Sequence, residues 1–184
     1  MPVPNSVRLA RATDVDAIAT VQRRAWRQSY AAILPAEALT ELDDADLAWE
    51  WGRAILAAGD HRVFVALNEG EGDVVGVASV GPTADPDISP ETSGEIGVLL
   101  VDPDYQRAGH GSRLMAACID MMRAADKSDC ATWIPLDDQA RRVFFTSAGW
   151  GPDSAYRDLE FTPGVTVREV RLVTSWVPEE PGAE

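Results

Sequence analysis

The stretch EIGVLLVDPDYQRAGHGSRLM, residues 95–115, runs from apolar residues through a proline and two closely spaced glycines into a helical pattern. Few local structures satisfy that order. The apolar run reads as a buried strand, and Pro103 stops it because proline cannot donate to a strand ladder. From Gly109 to about Ala125, the residues Leu114, Cys118, Met121, Met122 and Ala125 recur at helical spacing. A helix start leaves backbone N–H groups without partners and carries the positive end of the helix dipole, so it favours anions. Gly109 and Gly111 would let a ligand approach without a Cβ in the way, and Arg107 adds a permanent charge. A pyrophosphate suits such a turn. A Walker loop is excluded because no GK[ST] follows the glycines, and the dinucleotide fingerprint fails because Leu114 stands at its third glycine. Taken alone, the turn is equally compatible with a tight connection that binds nothing.

The flanking sequence predicts mixed α and β structure. VRLARA reads as a short strand, and Thr13 or Asp14 can cap a helix whose apolar positions are Val15, Ile18, Val21, Ala25 and Trp26. After a break at Pro35, a second helical stretch covers about 36–58, interrupted near Asp43 and closed by Gly59. HRVFVALN and DVVGVASV, separated by EGEG, read as a hairpin. A Pro-rich acidic connection from Gly81 to Gly94 is long enough to shape a binding mouth. Beyond the central helix come a strand, CATWIPL, a helix, DDQARRVFFTSAG, capped by an Asp and ended by Gly149, and a strand pair, AYRDLEF with TVREVRLVTSW. This order predicts a three-layer α/β (α+β) arrangement around a mixed sheet, with one domain over 1–176 and a disordered acidic tail over 177–184.

Thirty acidic against sixteen basic residues leave a net charge of −14, which repels nucleic acid and anionic membrane surfaces. The same charge is compatible with a cationic substrate and with simple solubility. No apolar stretch approaches the ~18 residues of a membrane span and the start has no signal-peptide pattern, so a soluble, cytoplasmic protein is expected. Two scattered cysteines, Cys118 and Cys130, predict reduced structural thiols and no metal site.

As a whole, residues 95–115 resemble the cofactor-binding segment of the GNAT superfamily of acyl-CoA-dependent N-acyltransferases. Its pattern of Gln or Arg, two residues, Gly, one residue, then Gly or Ala appears as Gln106, Gly109 and Gly111, after a strand that ends in Val101, Asp102 and Pro103. Where the family has Asn, then Phe-Tyr, then Gly-Phe, this chain has Asp138, Phe144, Phe145, Gly149 and Trp150. AWRQSYAAILP is similar to the first helix and following turn of many bacterial members, and the likeness runs from about Val7 to Trp176. The resemblance implies a three-layer GNAT-like fold with a central mixed, mostly antiparallel sheet flanked by helices. It also implies an N-acetyltransferase that passes an acetyl group from acetyl-CoA, without a metal, directly to a primary amine of a small molecule, protein or peptide. By the same likeness, Gln106, Arg107, Ala108, Gly109, His110, Gly111 and Ser112 would hold the coenzyme A pyrophosphate. The backbone of Leu99, Leu100 and Val101 would pair with the pantetheine arm like an added strand, with Asp138 and Phe145 also beside the cofactor. Trp26 and Tyr30 would line the acceptor groove, although their spacing also suits an ordinary core stripe.

Transfer needs a neutral amine, and an alkyl amine of pKa near ~10 is about a thousandfold protonated at pH 7, a deficit of roughly 4 kcal/mol. Glu95 matches a position where many GNAT enzymes carry a catalytic base, acting directly or through water, and an acid that merely opens a strand would look the same. The family's usual Tyr, which assists the leaving thiolate, corresponds here to Phe145, which has no proton to give. Tyr156 is a possible substitute. Because of Phe145 and Asp138, a non-catalytic acyl-CoA-binding sensor or regulatory module stands as the alternative to an enzyme. The final strand pair offers an edge for a homodimer.

Overall fold

A computed structural model describes residues 5–32, 34–40, 44–70 and 72–176. Its strands are β1 (Ser6–Leu9), β2 (Arg62–Leu67), β3 (Val74–Pro82), β4 (Ser93–Val101), β5 (Asp129–Pro135), β6 (Gly151–Thr162) and β7 (Val165–Ser175). Its helices are α1 (Val15–Tyr30), α2 (Ala36–Thr40), α3 (Asp44–Leu56), α4 (His110–Ala124) and α5 (Gln139–Ser147). The strands form one sheet in the order β1-β2-β3-β4-β5-β7-β6. Every neighbouring pair is antiparallel except β4 with β5. That parallel pair follows from the helix between its strands, since α4 carries the chain back to the starting end of the sheet.

Each face of the sheet buries a different set of helices. On one face, Ile18, Val21 and Ala25 of α1 and Trp51 of α3 pack on Val63, Val65, Val77 and Leu100. The Trp51 indole donates to the Gln22 side-chain oxygen at 2.5 Å, which pairs both polar groups inside this layer. On the other face, Leu114, Met115, Cys118 and Met122 of α4 meet Ala66, Ala78, Val80, Ile96, Cys130 and Ile134, with Phe145 of α5 and Trp150 completing the cluster. Cys118 and Cys130 are free and buried here, and burial pushes both thiols up, Cys130 to about 12. Neither has thiolate character at neutral pH.

Several local expectations change in the structure. Helix α4 buries His110, Leu114, Met115, Cys118 and Met122, whereas Met121 is only half-buried and Ala125 is the exposed residue after the helix. The buried stripe starts from the first helical residue, one turn earlier than the apolar pattern suggests. The expected 36–58 stretch is two helices, and the interruption near Asp43 lies outside the described residues. Helix α3 ends at Leu56, so Gly59 sits beyond it at φ +122°, where its carbonyl accepts from Arg62 at 2.5 Å. Asp14 does not cap α1 with its side chain. Its carboxylate instead takes two hydrogen bonds from Arg8, at 2.7 and 3.0 Å, and one from the Arg11 N–H at 2.7 Å, fastening the helix start to β1. Strand β6 begins four residues before AYRDLEF because an irregularity between Pro152 and Tyr156, with Ser154 at φ +74°, lets the ladder continue past it. The acidic tail lies outside the described residues.

Close contact of α4 with the sheet depends on missing side chains beneath it. A Cβ on Gly76 would lie 3.1 Å from the Leu100 carbonyl oxygen, 3.1 Å from Leu114 Cδ1 and 3.3 Å from Ala66 Cβ. Two of these neighbours are backbone or a methyl fixed to it, so the site has little room to relax. Gly76→Ala is expected to destabilise the fold by about 1–3 kcal/mol, read as a lower urea midpoint at an unchanged slope.

Candidate active site

The sheet is interrupted at its centre. Strands β4 and β5 pair from Ser93 with Asp129 to Ile96 with Thr132, and there their ladder ends. Beyond that rung β4 follows β3 as far as Val101, while β5 follows β7 as far as Pro135. Gly97 is the residue at which β4 changes register, since Val80 faces Ile96 and Ser79 faces Val98. Such a bulge bends its strand and increases the local twist, which turns β4 away from β5. The Thr132 hydroxyl donates to the Ile96 carbonyl at 2.9 Å, closing the last rung. From Gly97 to Val101, the second edge of β4 has no strand partner among the described residues. Leu99, Leu100 and Val101, the expected partners of a pantetheine arm, lie on this stretch.

At the end of that open edge the chain enters the glycine turn. Asp102 shapes it, accepting from the Asp104 N–H at 3.0 Å and opening a 3-10 turn over Pro103–Tyr105. Arg107 at φ +62° and Gly109 at φ +82° take left-handed conformations that redirect the backbone into α4. A non-glycine residue held there is strained, and such strain gathers at ligand-binding turns. The first intrahelical bond of α4 runs from the Arg113 N–H to the Gly109 carbonyl at 3.1 Å, so the N–H groups of His110, Gly111 and Ser112 precede the ladder. Gln106, Arg107, Ala108, Gly109 and Ser112 are exposed. The Arg113 guanidinium returns to the Ala108 carbonyl at 3.1 Å and lies over Gly109, adding a cation that the sequence pattern did not single out. Gly111 also has a packing reason, because a Cβ there would lie 3.2 Å from Phe144 Cζ of α5. His110 differs from its neighbours: its ring is buried, and neither ring nitrogen has a hydrogen-bond partner among the described residues. Only its backbone N–H belongs to the exposed turn.

Helix α1 is fastened to the turn from the side. Arg24 reaches Asp102 at 3.2 Å and Asp104 at 2.5 Å, and the Gln106 amide donates to Gln28 at 2.9 Å and to the Val101 carbonyl at 3.4 Å.

A cleft of about 200 Å³ opens where β4 and β5 part, with Gly97 to Leu100 on one wall and Thr132 and Trp133 on the other. Trp26 and Tyr30 of α1 both line it, and they stack edge-on with each other at 6.0 Å while sharing Phe161 of β6. Tyr30 also belongs to a small apolar cluster with Leu34, Leu39 and Val167, against which Trp26 and Phe161 pack. Burial pushes the Tyr30 phenol up, with Arg141 partly offsetting it, so the hydroxyl keeps its proton at neutral pH. Phe145 reaches the cleft from α5. Asp138 caps α5, its carboxylate accepting from the Arg141 N–H at 2.9 Å and facing the Arg141 guanidinium at 3.5 Å. Glu95 is half-buried on β4, two residues before Gly97 and outside the lining of the cleft, where its carboxylate accepts from the Thr83 hydroxyl at 2.8 Å. Tyr156 is 65% exposed with Arg168 over its ring, away from the cleft.

Sequence reasoning missed the charged lining. Arg141, Arg157 and Glu169 border the cleft, and Arg157 is bonded to Glu169 at 2.7 Å while lying 4.4 Å over the Trp133 ring. Arg171 sits on the same indole at 5.5 Å and is held at 2.7 Å by both Asp85 and Asp153. Asp85, on the long acidic loop, is thus committed to an internal ion pair. Strand alternation does place Arg157, Leu159 and Phe161 on one face, but only the strand order brings that face to the cleft.

A family model described as the Acetyltransferase (GNAT) family matches residues 20–150, well over half of the chain and across both the turn and the parted strands. The chain belongs to this family. As a GNAT acetyltransferase it is an acyltransferase that uses acetyl-CoA. It is similar to an uncharacterised N-acetyltransferase, YuaI, of Bacillus subtilis (strain 168), at 28% identity over 167 residues and 91% of each chain. Its fold matches the PaiA N-acetyltransferase of Thermoplasma acidophilum, solved with coenzyme A, at a TM-score of 0.72 and 16% identity over 95% of this chain and 100% of the other. It also matches the putative acetyltransferase YncA of Salmonella typhimurium, solved with acetyl-CoA, at a TM-score of 0.68 and 21% identity over 98% and 99% of the two chains. The three-layer mixed sheet expected from the sequence is the fold these structures share.

The buried imidazole under the GNAT turn has a consequence for stability. Burial lowers the His110 pKa from its ordinary 6.5, and the Arg113 charge lowers it further. The unfolded chain therefore takes up this proton at a higher pH than the native state, so stability is complete above about pH 6.5 and declines as the pH falls below it. The decline from this group ends once the pH passes the lowered native value. Urea midpoints measured across this range should fall for the wild type, and His110→Leu should remove that part of the decline. Asp14, held below the usual carboxylate range chiefly by Arg8, acts only at lower pH.

Proposed function

We propose that this GNAT acetyltransferase moves the acetyl group in one direct step from acetyl-CoA to a primary amine of a small molecule, protein or peptide. The observation that carries the reading is the edge of β4 that has no strand partner among the described residues and leads from the parting at Gly97 straight into the glycine turn. The pantetheine amides would complete that edge as an added strand along Leu99 to Val101. The pyrophosphate would meet the free N–H groups of His110, Gly111 and Ser112, with Gln106, Arg107 and Ala108 framing it and Arg113 adding charge. Asp138 supports α5 beside the arm, with its charge partly offset by Arg141. The thioester would then lie at the parted rung, next to the cleft lined by Trp26, Tyr30 and Phe145.

In this mechanism Glu95 takes the amine proton through a water, because it sits beside the cleft and not in its lining. The amine nitrogen forms a bond to the thioester carbonyl carbon, and backbone N–H groups of the open β4 edge stabilise the oxyanion. As the C–S bond breaks, coenzyme A leaves as a thiolate, which a thiol pKa near ~8.5 makes tolerable without an acid at Phe145. A cytoplasmic location accords with two buried free thiols and with the finding that no described helix is long and apolar enough to cross a membrane. We also propose one domain over 1–176, and a homodimer through the outer edge of β6.

Calorimetric titration with acetyl-CoA, using desulfo-CoA and ATP as comparisons, followed by thiol release with an amine panel, tests the transfer. Glu95→Gln is expected to bind acetyl-CoA as the wild type does and to lose about 10²–10⁴ in amine-dependent thiol release. An unchanged rate would remove Glu95 from the mechanism.

A further inference from the structure

The net charge of −14 is compatible with a cationic acceptor, but the cleft itself is lined differently. Its charged lining is two guanidinium groups and one carboxylate, and that carboxylate, Glu169, is 7% exposed and already bonded to Arg157. The nearby carboxylates are similarly committed: Asp138 to the cap of α5, Asp85 and Asp153 to Arg171, and Glu95, with Thr83 on one oxygen, to the reacting amine. An extra ammonium group would find no uncommitted acid among these residues. The arginines are placed otherwise. Each spends its Nε on an internal carboxylate, Arg157 at 2.7 Å from Glu169 and Arg141 at 3.5 Å from Asp138. Arg157 lies over the Trp133 ring at 4.4 Å, and Arg141 lies beside the Tyr30 hydroxyl. Fixed Nε atoms orient the terminal amino groups, and a guanidinium so held is a preorganised receptor for a carboxylate or another anionic oxygen group. Most of the remaining lining is apolar, with Trp26, Phe161, Leu159 and Val167 on the acceptor side, and Tyr30, Thr132 and the Trp133 indole add uncharged polar groups.

Resting on the acetyl-transfer reading above, we infer that the acceptor is a small amine that also carries an anionic oxygen group, an amino-acid-like molecule, and that Arg141 and Arg157 bind that group. The apolar part of the acceptor packs on the aromatic wall while its amine faces the parted strands. Paired in this way, the two arginines decide specificity within the cleft, whereas the overall negative charge governs only long-range steering.

The test uses matched acceptors: α-amino acids with small, branched and aromatic side chains, the carboxamides of the same amino acids, polyamines, and lysine-containing peptides amidated at the C-terminus. Thiol release from acetyl-CoA should favour the free carboxylate over its carboxamide by about 10-fold or more in kcat/KM, the worth of one charged hydrogen bond. Arg141→Gln should remove that preference, mainly by raising KM for the free carboxylate. Because Arg157→Gln would strand the buried Glu169, it is made together with Glu169→Gln, and unfolding midpoints check that each variant folds. A second arm needs no turnover: N-acetyl amino acids and their amides, the products of the reaction, are titrated calorimetrically with and without coenzyme A. Carboxylate-selective binding that Arg141→Gln abolishes supports the inference. Equal or better use of carboxamides, polyamines or peptides, or no binding of any N-acetyl carboxylate, overturns it. Loss of coenzyme A affinity in Arg141→Gln would assign that guanidinium to the cofactor and also overturn it. Failure of the wild type to bind acetyl-CoA at all, by contrast, would sink the transfer reading, and the titrations without coenzyme A would still decide the anion site.

Discussion

The separation of β4 from β5 after a single short ladder is the constraint on which the rest of the structure depends. A continuous sheet would bury both strand edges, and no polar edge would be left for a ligand to pair with. The extra residue at Gly97 prevents this by turning β4 away while its other edge stays paired with β3 on both sides of the bulge. Such an opening costs backbone hydrogen bonds, and the fold tolerates it because both arms of the fork are anchored elsewhere. β4 is held by β3 and pressed from both faces by α1 and α4, and β5 is held by β7 along its whole length. The opening is rigid on both sides.

Glycines set how tightly the second layer can close on this fork. Gly76 and Gly94 lie beneath α4, where a Cβ on Gly94 would fall on the Met122 side chain, and Gly111 lies between α4 and Phe144 of α5. Through these contacts, the N-terminus of α4 is fixed at the end of the open strand. The anion-favouring end of the helix and the unpaired edge are therefore one continuous surface, produced by packing.

Much of this was legible in the sequence because it is local. Pro103, Gly109 and Gly111 mark the turn, Asp138 caps its helix as an acid before a helical run should, and two strand-like runs split by EGEG mark the β2–β3 hairpin. What was not legible depends on register or on contacts distant in sequence. The parting at Ile96 and Thr132 requires knowing which strands pair and for how long. His110 reads as one more residue of an exposed glycine turn, yet the helix rotates its ring into the core. Arg141 and Arg157 meet at the cleft only because β7 inserts between β5 and β6, an order that the chain sequence of strands does not announce. Tyr30 and Trp26 were ambiguous between core and groove, and the ambiguity is physical, since the same side chains join an apolar cluster and line the cleft.

Helix α1 presents Trp26 and Tyr30 to the cleft while Arg24 and Gln28, on an adjoining side of the same helix, grip Asp102, Asp104 and Gln106 of the turn. One rigid body therefore touches the neighbourhoods proposed for both ligands. If a bound acceptor shifts α1 and so changes the hold on the turn by some factor in cofactor affinity, thermodynamic reciprocity requires the cofactor to change acceptor affinity by the same factor. Any preference for which ligand enters first would then be written in the hydrogen bonds on the outside of this helix.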